Sequence, residues 1–223
     1  MINALIDKKD NFEIIRDRVA QILTNEVVSQ KTLATAAGKD PALWNFKVYT
    51  ERSNPFELIE SISGGIGGDT DIINIWLESF SVNGGDTFTQ QTGETRIMID
   101  CCSAKAAVNN PAGGITTEAD ERASRDSERI ARLVRNILMH PEYVQLGMSG
   151  TVTKRWIDRI EKMQPDTDDK PAERMIATRI TLVVSHIETV DQIAPETLEA
   201  VMGLMRGSTG EVLASIDFNF VEE

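Results

Sequence analysis

GETRIMIDCCSAKA (residues 93–106) decides the fold, because its side chains sort cleanly at a period of two. Thr95, Ile97, Ile99 and Cys101 fall on one side of an extended chain, and Glu94, Arg96, Met98, Asp100 and Cys102 on the other. The first set belongs in a core; the second reads as half wetted. A helical run comes next, ADERASRDSERIARLVRNILMHPEY (residues 119–143). Small Ala119 and Ala123 lie early on its inner face, and Ile130, Leu133, Val134, Ile137 and Leu138 continue that face at helical spacing. Thr116 or Thr117 is the expected cap, and Pro141 the expected stop. ERMIATRITLVVSHIE (residues 173–188) reads as a strand in which Ile176, Thr178, Ile180, Leu182 and Val184 alternate with Arg179, Thr181, Val183 and Ser185. VTKRWIDRIEKM (residues 152–163) fits two templates. Val152, Trp156, Ile160 and Met163 suit a helix, whereas Thr153, Ile157 and the β-branched content suit a strand. The short link to an evident strand partner favours the strand.

Toward the N-terminus, residues 9–37 read as an amphipathic helix with Phe12, Ile15, Val19, Ile22, Leu23 and Val27 on one stripe, ended by Gly38 and Pro41. Residues 44–60 read as a short strand through Phe46, Val48 and Thr50, with Pro55 restricting any continuation of it. SGGIGGDTD (residues 63–71) is a turn, and DIINIWLESFSV (residues 71–82) a strand. Residues 83–93 form a long hairpin loop, and residues 109–117 a second polar connection. Toward the C-terminus, residues 194–207 read as a short helix, with Pro195 in its first turn and Gly207 closing it. Residues 211–223 read as a strand with Val212, Ala214, Ile216, Phe218 and Phe220 on one face. The elements sum to an α+β domain, a mostly antiparallel sheet packed by two amphipathic helices. Residues 1–190 form that domain. Residues 191–223 are a helix–strand extension, packed on the same domain or on a neighbouring subunit.

The 223 residues suffice for a substantial core, and hydrophobic (41%) and charged (26%) contents are ordinary for a globular chain. The formal net charge of −12 argues against tight binding of free duplex DNA, which needs clustered Lys and Arg. It is compatible with a wall past which DNA slides. The two cysteines are adjacent and face opposite sides of one strand, so no long-range disulfide framework is expected. The first residues lack a basic segment followed by an apolar run, and no stretch is long enough to span a membrane, so neither a targeting segment nor a membrane partner is expected.

Chemistry-bearing motifs are sparse. GGIGGD lacks the lysine and the succeeding helix of a phosphate loop, so it reads as a turn. Asp166, Asp168 and Asp169 crowd one loop without the spacing of a calcium site. Cys101 or Cys102 would need a base to act as a nucleophile, and nothing in the sequence brings His140 or His186 near them. Arg122, Arg125, Arg129 and Arg132 alternate with acids on the outer side of the second long helix. They suit a solvated face with i,i+4 pairs, or subunit contacts if the protein forms a ring.

The order of these elements resembles tail terminator (tail completion) proteins of long-tailed bacteriophages over residues 10–190. The resemblance rests on the amphipathic N-terminal helix, the strand ending in IDCCSAKA, the helix ADERASRDSERIARLVRNILMHP, and the closing pair RWIDRIEKMQPDTDDKPAERMIATRITLVVSHIE. It implies a virion structural protein of the neck and tail, assembled in the host cytoplasm. Its copies would form a ring, expected to be a hexamer, that caps the tail tube, stops its polymerisation and meets the head connector. The implied partners are further copies of the chain, the tail tube protein and the connector or neck proteins. DNA would only pass through the lumen. No cofactor, metal or catalytic residue is implied, and the four arginines become candidate subunit contacts. Another neck, head-completion or tail-tube-like virion protein fits the same texture. The reading of a different class is a small cytoplasmic enzyme dependent on one of the two cysteines.

Overall fold

Thr95, Ile97, Ile99 and Cys101 are all fully buried on one face of β3 (Gln90–Ala104), as their alternation requires. β3 is the middle strand of a five-stranded sheet. On one side it pairs with β2 (Thr70–Val82), which pairs in turn with the short β1 (Lys47–Thr50). On the other side it pairs with a strand at Met175–Thr189, beyond which lies another at Val152–Met163. A two-stranded ribbon at Val108–Asn109 and Ile115–Thr117 makes these elements β4 and β5, so the last two strands are β6 (Val152–Met163) and β7 (Met175–Thr189). All pairings in the large sheet are antiparallel except β1 with β2. These relations come from a computed structural model that describes residues 7, 9–63, 69–83, 90–109, 115–164 and 175–189. The expected turn at 63–71 lies mostly outside them, as do the acidic loop around Asp166 and the whole 191–223 extension.

Two long helices cover one face of the sheet, α1 (Asn11–Ala36) and α3 (Ala119–Leu138). Ile15, Val19, Ile22 and Leu23 of α1 meet Ile130, Val134 and Leu138 of α3 over Ile73, Ile75, Ile97, Ile99, Ile180, Leu182 and Val184. Each such side chain contributes about 1.5–3 kcal/mol by leaving water. Local chemistry sets the ends of α1. Glu13 accepts from the Asp10 N–H at 3.0 Å, closing a capping box. At the other end Gly38 sits at φ 65°, where Gly38 N–H reaches Thr35 O and Lys39 N–H reaches Ala34 O. This double closure needs the left-handed residue that glycine supplies.

β6 is a strand along its whole length, because it pairs with β7 from Val152 to Met163. Other expectations change. Pro55 starts a helix rather than limiting a strand: α2 (Pro55–Ser63) begins there, and the Asn54 side chain accepts from the Phe56 and Glu57 N–H groups. β3 begins at Gln90, inside the stretch expected as loop, because β7 pairs with it as far as Thr189. α3 is capped by neither Thr116 nor Thr117, which belong to β5; Glu118 stands at its N-cap without a side-chain cap bond. It also stops at Leu138, and residues Pro141–Tyr143 form a separate 3-10 turn. Arg155 of β6 reaches three carbonyls there, those of Leu138, His140 and Val144. A cation placed against the last carbonyls of a helix is a favourable stop. Finally, the second face of β3 is drier than expected. Met98, Asp100 and Cys102 are all buried, partly because α2 packs Ile59 against Ile72, Cys102, Ala104 and Ala177 at one end of that face.

Gly93 shows how tightly β3 is fitted. A Cβ there would lie 2.5 Å from His186 Cε1 and 3.0 Å from Phe80 Cε2. Gly93→Ala is therefore expected to cost about 1–3 kcal/mol, the usual penalty for overpacking, read as a lower urea midpoint. An unchanged midpoint would refute the close approach.

Candidate interaction surfaces

Asp100 carries the most unusual environment in the described chain. It faces away from α1 and α3, yet is 3% exposed. Its register partner on β7 is Arg179. Arg179 Nε donates to Oδ1 at 2.6 Å and its terminal nitrogen to Oδ2 at 3.0 Å, a two-pronged pair. Trp76 Nε1 donates to Oδ2 at 2.9 Å, and the guanidinium carbon sits 5.1 Å from the Trp76 ring centre. Glu51, Arg52, Phe56, Trp76, Met163 and Arg179 wall a cleft of ≈ 430 Å³ above this cluster. Sequence alternation puts Asp100 and Arg179 each on the second face; the cross-strand register that makes them partners is a tertiary fact.

The four candidate arginines of α3 divide into two stripes. Arg122 and Arg129 turn inward. Arg122 donates to the Ala106 carbonyl and pairs with Asp69 at 2.7 Å. Arg129 donates to the Leu43 carbonyl and lies 3.5 Å from Asp126. Between them Lys105, 7% exposed, bridges Asp71 at 2.9 Å and Asp126 at 3.0 Å. Acids and bases balance in this cluster, so it binds β2, β3 and α3 to one another. Arg125 and Arg132 remain exposed, Arg125 beside Glu121 one turn earlier. Two of the four arginines are thus open for subunit contact, and two are anchors within the chain.

A third cluster centres on two fully buried residues, Thr95 and His186. His186 Nε2 lies 2.8 Å from the Thr95 hydroxyl, and the imidazole stacks on Phe80 at 5.8 Å. Its Nδ1 is 3.2 Å from Glu188 Oε1 without a hydrogen bond between them. The other Glu188 oxygen accepts from Asn11 Nδ2 at 2.8 Å. The order Thr, His, carboxylate superficially matches a nucleophile–base–orienter row. Thr95 and His186 are both 0% exposed, so no substrate reaches them in this conformation. The cysteines are equally shut in. Cys101 and Cys102 are both 0% exposed, and burial raises both thiols above their ordinary value. His140 is on the exposed turn after α3. Among the described residues, no group of three or more His, Cys, Asp or Glu is placed to hold a metal ion. None of the described helices is long and apolar enough to cross a membrane.

The sheet has two edges. β6 carries no strand on its outer side among the described residues, and it is interrupted by bulges after Val152 and after Ile157. Ile160 (46% exposed) and Met139 (42% exposed) flank a shallow cleft with Trp156, Arg135 and Arg159. At the other edge β1 stops at Thr50, opposite Ile75. Glu51 then turns away at φ 53° and its carboxylate accepts from the Leu77 N–H at 3.1 Å, with Arg16 holding the same oxygen at 2.8 Å. A side chain thus takes over the pairing where the strand ends. From Ser79 to Val82 the outer side of β2 has no described strand partner.

Two outcomes test these environments. Asp100→Ala strands Arg179 against Trp76 and is expected to cost about 3–5 kcal/mol in urea unfolding, most of it recovered in the Asp100→Ala/Arg179→Met double variant. Additive losses would show that the pair is not coupled. Burial holds His186 below its ordinary 6.5. A depressed histidine gives stability that is complete above the unfolded value and lost as pH falls toward the folded one. The urea midpoint should therefore fall more steeply in the native chain than in His186→Gln as pH is lowered through and below about 6.5; equal slopes would contradict this. The raised value of Glu188 works the other way, its stability being present at low pH and lost as pH rises, and Glu188 touches His186, so both chains carry Glu188→Gln in this comparison. No family model matches the chain, and neither does any curated protein.

Proposed function

We propose that the chain is a virion structural protein that assembles into a ring and terminates the tail tube of a long-tailed phage. One observation carries this reading: among the described residues the sheet ends in two edges without a further strand, β6 and the distal half of β2, while Asp100, His186 and both cysteines are tied up internally. Strand edges are ready templates for another chain. Two different edges on opposite sides of one subunit suit head-to-tail contact, which closes into a ring when the rotation permits. Ile160 and Met139 beside β6 supply apolar area for such a contact, and exposed Arg125 and Arg132 supply charge at its margin. The formal −12 would let DNA pass without adhering.

The buried, raised thiols count against the cysteine-enzyme reading, since a nucleophilic thiol must be ionisable and reachable. The neighbouring assignments within the virion, a head-completion or tube-like subunit, share the edge argument and differ in the particle bound.

Native mass spectrometry and negative-stain microscopy of the purified protein are expected to give a closed ring that binds the end of purified tail tubes and not filled heads. Ile160→Asp should shift the ring toward monomer by about ten-fold or more in dissociation constant, as a desolvated contact would. A chain that stays monomeric at high concentration and ignores tubes would overturn the proposal. So would a turnover lost on substitution of Cys101 or Cys102 by Ser.

A further inference from the structure

β1 ends the sheet beside α1, and its outer side carries no strand among the described residues. Backbone alternation says which groups that leaves unpaired. The Glu51 N–H donates to the Ile75 carbonyl at 2.9 Å, so Lys47, Tyr49 and Glu51 turn their amide groups toward β2. Val48 and Thr50, one residue out of step, each turn an N–H and a C=O the other way. A cavity of ≈ 350 Å³ runs along this line, bordered by Ala20 and Thr24 of α1 and by every residue from Val48 to Arg52. Val48 packs toward the helical core and Tyr49 toward the cluster beneath α2, on opposite faces of the sheet. A cavity touching both lies at the edge itself, as a groove between strand and helix.

The walls of the groove suit an extended chain. Ala20 and Thr24 are small, and the Thr24 hydroxyl is spent on the Ala20 carbonyl at 2.8 Å. Arg52, just past the end of the strand, is held in place through its backbone. The fully buried Asn74 side chain accepts from the Arg52 N–H at 3.1 Å and donates to the Arg52 carbonyl at 3.0 Å. The Arg52 guanidinium lies 5.7 Å from the Tyr49 ring centre. Nearby acids are already taken, since Arg16 holds both Asp17 and Glu51 at 2.8 Å. Lys47 and Arg52 are exposed and pair with no carboxylate among the described residues. The edges of a second copy complement this groove poorly. β6 carries Lys154, Arg155, Arg159 and Lys162 against Asp158 and Glu161, and β2 from Ser79 to Val82 carries no charge to offer Arg52. Cations set against cations repel. The complement is an extended segment with acidic side chains.

We propose that the groove between α1 and β1 is a docking site for an extended acidic segment of another protein. The segment adds as a strand beside β1 through the free groups of Val48 and Thr50, and sets a carboxylate against Arg52. The site belongs to a single subunit and does not rest on the ring.

The test uses the full chain and a fluorescein-labelled octapeptide of alternating threonine and glutamate. Fluorescence anisotropy is expected to show saturable binding to the native chain. The same peptide with lysine in place of glutamate, or with its backbone amide nitrogens methylated, should bind at least about ten-fold more weakly. Arg52→Glu should weaken the acidic peptide by about ten-fold or more. Thr24→Trp fills the groove and should abolish binding, whereas Ser29→Trp, exposed elsewhere on α1, should leave it intact. Urea midpoints report whether the variants fold, and the peptide series on the native chain stands without them. No saturable binding by the native chain would overturn the proposal, as would equal affinity for the acidic, basic and methylated peptides. Binding that ignores both Arg52→Glu and Thr24→Trp places the peptide elsewhere and overturns it equally. If those variants instead disperse an oligomer of a native chain that binds no peptide, the groove belongs to a second copy and the proposal fails.

Discussion

Fifteen consecutive residue pairs, from Gln90 opposite Thr189 to Ala104 opposite Met175, join β3 to β7 without a bulge. Everything else is arranged about that ladder. A slip of one residue would move Asp100 among Ile130, Ile180 and Leu182 and put the isoleucines on the far face. The register is held from both sides at once. On the helical face Ile97 and Ile99 meet Leu182 and Ile180; on the other Asp100 meets Arg179. A buried carboxylate is tolerable only with its partner in place, so the ion pair penalises wrong registers even if it adds little net stability.

The placement of the helices depends on the ladder. α3 needs small residues where it crosses closest, and Ala119, Ala123 and Ser127 are buried there, with the Ser127 hydroxyl 3.0 Å from that of Thr178. Farther along, Ile130, Val134 and Leu138 fill the wider space shared with α1. The turn after α3 must then return the chain to β6 while burying Leu146, which lies at φ 54° and is 0% exposed. Arg18 and Arg155, both donating to carbonyls of this turn, offset the strain of that backbone. Among the described residues Arg16, Arg18, Arg96, Arg122, Arg129, Arg155 and Arg179 each reach across to another part of the chain as braces.

β6 is long but broken by bulges and rich in charge, the usual defence of an edge against indiscriminate pairing. β2 is shielded near Leu77 by the Glu51 carboxylate, and beyond it carries no strand on its outer side among the described residues. Selective protection of this kind is what a protein needs if it is to add one partner at one place.

Periodicity alone determined the α+β class, the buried faces of β3 and β7 and the core stripe of α1, because a period of two or of 3.6 is a local property of the chain. It also favours the strand at β6, although that segment fits both periods. It misses α2, because Pro55 reads as a strand breaker. The same proline is a good first residue of a helix once Asn54 caps it, and only the packing of Ile59 on Cys102 and Ala177 shows which role prevails. The pairings Asp100–Arg179, Thr95–His186 and Lys105–Asp126 are invisible in the sequence, since each joins residues far apart along the chain or on different elements. The division of the α3 arginines into braces and exposed charges is hidden too. Side-chain type and spacing say which face a residue takes; what it meets there depends on strand register and helix placement, which are set by the chain as a whole.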